Sequence, residues 1–297
     1  GTDVKVYRAG GHHRMLQVPT PFGHEMAGTV AAVGKGVNNF KDGDAIVVAN
    51  SAPCLQCTYC RASRENLCTD LLYLNGAFAE YLLVPERFVR INTLHIPEGL
   101  GFKKAALTEP LACVLHGLEI CSLDVCNEKG PVEVIVYGAG PIGLLQVAVL
   151  KRMGHRVILV DPNFSRLEVG RKLGADGTVE IQRGGGQVKA VRAKTDGGQG
   201  SDFVIECTGV PKVWEDAILS VKPSGVACLF GGLPANCSVS FDSSWVHYNE
   251  ITMMGAYHHR PVTVRRALEM LSDPEFAVEL LLSDERPVEE VEEALQN

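Results

Sequence analysis

Residues 132–147 read VEVIVYGAGPIGLLQV: an apolar run broken only by Glu133, a cluster of glycines, then a second apolar run. The first run is the pattern of a buried strand and the second that of a helix. Gly138-x-Gly140-x-x-Gly143 falls where the one turns into the other. At such a junction the first glycine makes the tight turn, the second lets the backbone approach a pyrophosphate, and the third lets helix and strand pack closely. The helix N-terminus then offers free N–H groups and a positive dipole end to the phosphates. Asp161 ends the next strand, about 20 residues on, where a carboxylate accepts hydrogen bonds from ribose hydroxyls and repels a 2′-phosphate. The expected cofactor is therefore NAD rather than NADP. Candidate contacts are Gly138, Gly140, Pro141, Ile142, Gly143, Asp161 and Thr208, with Arg166 as either a phosphate contact or a solvated helix residue.

Outward from this stretch the same rhythm continues. RVILVD, SDFVIECTG and GVACLFGG read as strands; PIGLLQVAVLKRMG, SRLEVGRKLGAD and VWEDAILSVK read as helices. Alternation of this kind predicts a parallel, doubly wound α/β sheet. The glycine-rich pieces RGGGQ and DGGQGSD read as loops. Upstream the pattern is different. EMAGTVAAVG, KGVNNFKDGD and AIVVA, within residues 25–50, read as short β segments with turn punctuation and favour a small antiparallel barrel. AFAEYLLVP (77–85) reads as a further strand ended by Pro85, and a helical stretch is expected from about Phe102 to Ile120.

The chain has 297 residues, long enough for two domains. With 28 Lys+Arg against 35 Asp+Glu and no basic stripe, nucleic acid is not an expected partner. The longest apolar stretch is too short for a membrane span and is interrupted by glycine. Of ten cysteines, six are scattered through apolar stretches, the usage of a reducing compartment, so the cytoplasm is expected.

The other four form Cys54-x-x-Cys57-x-x-Cys60-x7-Cys68. Two-residue gaps let one polar loop wrap its thiolates around a single ion, and the fourth ligand closes a tetrahedron, which suits Zn²⁺. With every position filled by protein, such an ion is structural. The long last gap and the lack of a Cys-Pro ending do not match the ferredoxin iron–sulfur run. Paired disulfides are the remaining alternative.

PFGHEMAGTV places His24 and Glu25 at the entrance to a β segment. GHE, the cysteine lobe, TEPLACVLHG and GAGPIG together closely resemble the zinc-dependent medium-chain dehydrogenase/reductase family, which includes alcohol, sorbitol and threonine dehydrogenases. The resemblance covers essentially the whole chain. It implies a GroES-like β-rich catalytic domain built from both chain ends (1–113, with the zinc lobe at about 51–70, and a return segment at 257–297) around a Rossmann NAD-binding domain (114–256). It also implies two Zn²⁺ per full-length chain. His24, Glu25 and Glu109 match catalytic zinc ligands. Thr2 matches the hydroxyl that relays the alcohol proton, and Asp3 the carboxylate that orients the ligand histidine. In the family a cysteine ligand directly precedes GTD, so the resemblance implies a fragment of a longer protein that lacks N-terminal strands and a final strand. Lys5 stands where several relatives carry histidine as the last relay member; Lys5, His12, His13 or water would take that place.

The function so implied is reversible NAD-linked oxidation of a secondary alcohol or polyol by a homodimer or homotetramer. A zinc-free reductase on the same fold and a non-catalytic zinc-binding module are the alternatives. His258 and His259, in GAYHHRP, face the cofactor in one reading and are half-exposed strand-end residues in the other.

Overall fold

A computed structural model describes residues 2–10, 20–123 and 130–296. His12 and His13 lie outside the described residues. The chain divides into two compact units, Gly1–Leu115 with His258–Asn297, and His116–Tyr257.

In the second unit six strands form one sheet. Glu133–Tyr137 (here β6), Arg156–Asp161 (β7), Gly177–Glu180 (β8), Ser201–Glu206 (β9), Val221–Leu229 (β10) and Thr252–Gly255 (β11) pair in the order β11-β10-β9-β6-β7-β8. Every pairing is parallel. Strand order therefore reverses beside β6, and in open α/β sheets the crevice at such a reversal is where ligands bind. All of β6 is buried, as is β7 beyond Arg156, which is why both read as continuous apolar runs. Their side chains Ile135, Tyr137, Ile158 and Val160 build the core with Val204, Val213 and Ala227. Helices Pro141–Arg152, Phe164–Lys172 and Pro211–Ser220 occupy the expected places. The RGGGQ segment is a loop, while DGGQGSD holds a 3-10 turn at Asp196–Gly198 and then enters β9.

The first unit carries two small antiparallel pairings. Met26–Thr29 (β1), Ala45–Val48 (β2) and Thr93–His95 (β5) form a three-stranded sheet, and Ser51–Ala52 (β3) pairs with Leu72–Tyr73 (β4). Phe88, Ile91, Met26, Val48 and Leu74 pack between them. The described residues make these two sheets rather than a closed barrel. KGVNNFKDGD is not a strand: it is a chain of turns, closed where the Lys41 N–H donates to Asp44 Oδ2 at 2.9 Å.

The 77–85 segment is not a strand either. Leu82 and Val84 face the core, whereas Tyr81 and Leu83 are 79% and 88% exposed. The alternation is real, but among the described residues only Ala77 and Phe78 of this segment donate to backbone carbonyls, those of Gly23 and Phe22. A ladder needs a neighbouring strand, and alternation does not encode one. The expected 102–120 helix is two helices, Phe102–Ala105 and Thr108–Ile120, with Thr108 Oγ1 donating to Ala105 O between them. Pro110 is accommodated because it lies in the first turn of the second. Thr2–Ala9 is a helix, a region with no expected secondary structure. Among the described residues no helix is long and apolar enough to cross a membrane.

Candidate active site

The dinucleotide turn follows β6. Gly138 has φ +99°, and a Cβ on it would lie 2.9 Å from Thr208 Cγ2. A Cβ on Gly143 would lie 1.7 Å from Gly138 O, so helix and strand meet only because that side chain is hydrogen. Gly140 differs: a Cβ there would meet no protein atom within 4 Å. The space above it is open, as a bound pyrophosphate requires, and the turn fits the cofactor implied by its spacing. Gly140 caps the helix that begins at Pro141.

Asp161 is nearly buried, and both its oxygens are engaged. Oδ2 accepts from Ala139 N and Oδ1 from Asn163 N, each at 2.7 Å. The carboxylate thus clamps the glycine turn, and each oxygen keeps a second lone pair for a ribose hydroxyl. Arg166 is exposed and its backbone N–H donates to the Asn163 cap. Thr208 is held by Glu206, whose carboxylate is fully buried. Glu206 Oε1 accepts from Thr208 N at 2.7 Å, from Gly209 N at 3.0 Å, and from Thr208 Oγ1. The sequence reading passed over Glu206, although ECTG places it where β9 ends.

The four lobe cysteines come together. All are free thiols, which removes the disulfide alternative, and their sulfurs lie within 4.8 Å of one another. Cys57 and Cys60 are 3.5 Å apart and Cys54 and Cys60 4.0 Å, close to the ~3.8 Å edge of a tetrahedron with 2.3 Å Zn–S bonds. Backbone N–H groups already point at the sulfurs, from Cys57 to Cys54 and from Cys54 and Asp70 to Cys68. Such donors, from Cys60 and Thr69, pull the Cys57 thiol down to about 5. The donor set fits Zn²⁺.

His24, Glu25 and Glu109 also converge, with ligand atoms within 4.8 Å of one another. Gly23 sets this up: it sits at φ +89°, and a Cβ would lie 2.7 Å from Phe78 N. Asp3, from the N-terminal helix, accepts from Gly23 N through Oδ1 and pairs through Oδ2 with His24 Nδ1 at 2.9 Å. That contact fixes the ring and leaves Nε2 as the ligating nitrogen. Burial opposes a charged His24, but Asp3, Glu109 and Glu25 outweigh it and raise the imidazole to about 9. Burial pushes Glu109 up to about 7, against the pull of His24. Cys113 lies one turn on and its thiol donates to Glu109 Oε1 at 3.6 Å. Crowded, half-neutralised acid and imidazole groups are what a cation would relieve, so these residues fit a metal. Thr2 is half-buried beside Asp3, and Lys5 is exposed on the same helix.

Comparison with known proteins gives the family. Residues 1–96 match the model for the alcohol dehydrogenase GroES-like domain and residues 141–273 that for zinc-binding dehydrogenases. The sorbitol dehydrogenase of Bacillus subtilis is 30% identical over 100% of this chain and 82% of its own length. The D-altritol 5-dehydrogenase of Agrobacterium fabrum is 34% identical over 91% and 77%. A zinc-binding dehydrogenase from Sinorhizobium meliloti 1021, solved with NADP bound, superposes with a TM-score of 0.83 at 27% identity, covering 100% of this chain and 84% of that one.

The chain belongs to the zinc-dependent medium-chain dehydrogenase family.

As a medium-chain dehydrogenase it is an oxidoreductase that uses a nicotinamide nucleotide and acts on a small molecule. Two histidines of this dehydrogenase stand beside Glu109. His259 is 1% exposed, its Nε2 3.0 Å from Asn50 Oδ1 and 3.8 Å from Glu109 Oε1. His258 Nε2 lies 2.7 Å from Ser51 Oγ. Both belong to the first unit, with the other candidate ligands.

Proposed function

We propose that this dehydrogenase oxidises a secondary alcohol, with polyols as its substrate class, using NAD, and that it acts in the cytoplasm as a homodimer or homotetramer. The observation that carries the reading is the Asp3-oriented His24 set against buried Glu109. The named relatives, a sorbitol and an altritol dehydrogenase, support the polyol class. In this reading residues 1–113 and 257–297 supply the catalytic site and 114–256 the cofactor site.

His24, Glu25 and Glu109 would hold the catalytic zinc, and Cys54, Cys57, Cys60 and Cys68 a structural one. A zinc ion in the first site supplies a Lewis acid that makes the alcohol proton easier to lose. Asp3 keeps the His24 ring in one tautomer and orientation. Thr2 carries the released proton outward, and Lys5 on the solvent-facing side of that helix, His12, His13 or water takes it on. Gly138, Gly140, Pro141, Ile142 and Gly143 seat the pyrophosphate, and Thr208 borders that turn. Asp161 accepts from the ribose and disfavours a 2′-phosphate, so NAD is expected to give the higher kcat/KM of the two nucleotides.

His24→Ala tests the proposal. Loss of NAD-linked turnover of polyols, with the cysteine-lobe zinc retained, is the expected result. Unchanged turnover would sink it and move a zinc-free reductase to the front.

A further inference from the structure

Glu109 belongs to two clusters of candidate ligands. One is the set with His24 and Glu25. The other is Glu109, His258 and His259, whose ligand atoms also lie within 4.8 Å of one another. Glu109 and His259 are 5% and 1% exposed, so the second cluster is not a solvated surface group.

Its members converge without His259 and Glu109 closing into an ion pair. The 3.8 Å between His259 Nε2 and Glu109 Oε1 is too long for a hydrogen bond. Each ring is also tethered. Because Asn50 Oδ1 is an acceptor, His259 Nε2 must donate to it, which leaves the lone pair on Nδ1. His258 Nε2 is tied to Ser51 Oγ at 2.7 Å, and ties of this kind orient metal-ligating imidazoles. The two rings lie 4.0 Å apart. His258 sits at φ +61°, in the left-handed region that a non-glycine residue occupies at a cost. Such strain collects at ligand sites, where surrounding contacts sustain it.

We propose that Glu109, His258 and His259 form a second position for a divalent cation, with Glu109 as the ligand it shares with the His24 position. Two imidazoles and one carboxylate suit Zn²⁺ and its borderline neighbours such as Co²⁺. A shared carboxylate is how two ions are held close together in two-metal sites. The ion at this position adds positive charge beside Glu109 and draws electron density from the carboxylate the two positions share.

Two measurements test this on the full chain. The first is zinc content after equilibration at fixed free Zn²⁺, for wild type, His258→Asn/His259→Gln and His24→Ala. The double variant is expected to hold one equivalent less than wild type; equal content overturns the proposal. His24→Ala reports on the dehydrogenase reading separately, because its loss concerns the other position and polyol turnover. The second needs no variant. Crystals equilibrated with Co²⁺ are expected to show an anomalous peak within bonding distance of Glu109, His258 and His259. Its absence, with the cysteine lobe occupied, overturns the proposal as well.

Discussion

Asp3 Oδ2 lies 2.9 Å from His24 Nδ1, while Oδ1 of the same carboxylate accepts from the Gly23 N–H. One side chain therefore holds both the ring and the backbone turn that presents it. Burial alone would raise Asp3, but the His24 bond and charge outweigh it and hold the carboxyl below its ordinary range. Asp3→Asn keeps the shape and removes the charge. Loss of such a partner costs about 10–100-fold in metal affinity or activity. We expect a loss of that size in competitive zinc titration, with the cysteine lobe unaffected. An unchanged affinity would show that Asp3 does not orient the ligand.

The proton balance at the same site predicts its pH dependence. Metal-free His24 is raised to about 9 and Glu109 to about 7. A histidine with a raised value keeps its proton at neutral pH, and a metal binds only the deprotonated ring. Zinc must therefore displace a proton from His24 at pH 7, and a further fraction from Glu109. Apparent affinity should rise by about tenfold per pH unit for each displaced proton and level off above pH 9. Calorimetry in two buffers of different ionisation heat should give at least one proton released at pH 7. No release would contradict the raised values.

Removing one lobe ligand should act locally. The Cys54 and Cys68 sulfurs already accept backbone N–H groups, so the 54–68 loop is shaped around thiolates. Cys57→Ser should lower zinc content by about one equivalent, since structural sites need all four ligands. Hydrogen exchange should then rise over 54–68 and stay unchanged in β6 and β7. Retained zinc with normal protection would argue against a four-thiolate ion.

How far the sequence was legible follows from what each element needs. β6 and β7 were plain because parallel strands buried on both faces read as apolar runs. Helix Pro261–Ser272 was passed over, although Val264, Ala267, Leu268 and Leu271 are its buried face at i, i+3, i+4 and i+7. The 77–85 segment misled because Leu82 and Val84 do alternate inward, yet pairing depends on a neighbour that no local pattern specifies. At the site, His24, Glu109 and the cysteines announced themselves by motif. His258 was read only as facing the cofactor or as a half-exposed strand-end residue, because its partner Ser51 is 207 positions away. The clamp of Asp161 on Ala139 was equally invisible, being made across 22 positions by a residue already assigned another task.

Glu206 gives the last prediction. Its buried carboxylate accepts from Thr208 N, Thr208 Oγ1 and Gly209 N, and so fixes the turn that packs against Gly138. Glu206→Gln keeps the volume but exchanges one acceptor oxygen for an NH₂ group. Whichever way the amide turns, it offers fewer acceptor sites than the carboxylate, and an unmet buried donor costs about 1–3 kcal/mol. Some of that loss falls on stability and some on the cofactor turn. We expect KM for the nucleotide to rise by about tenfold while kcat for saturated enzyme changes little, with Glu206→Asp recovering part of the loss. A fall in kcat at unchanged KM would mean that Glu206 does not act through the cofactor turn.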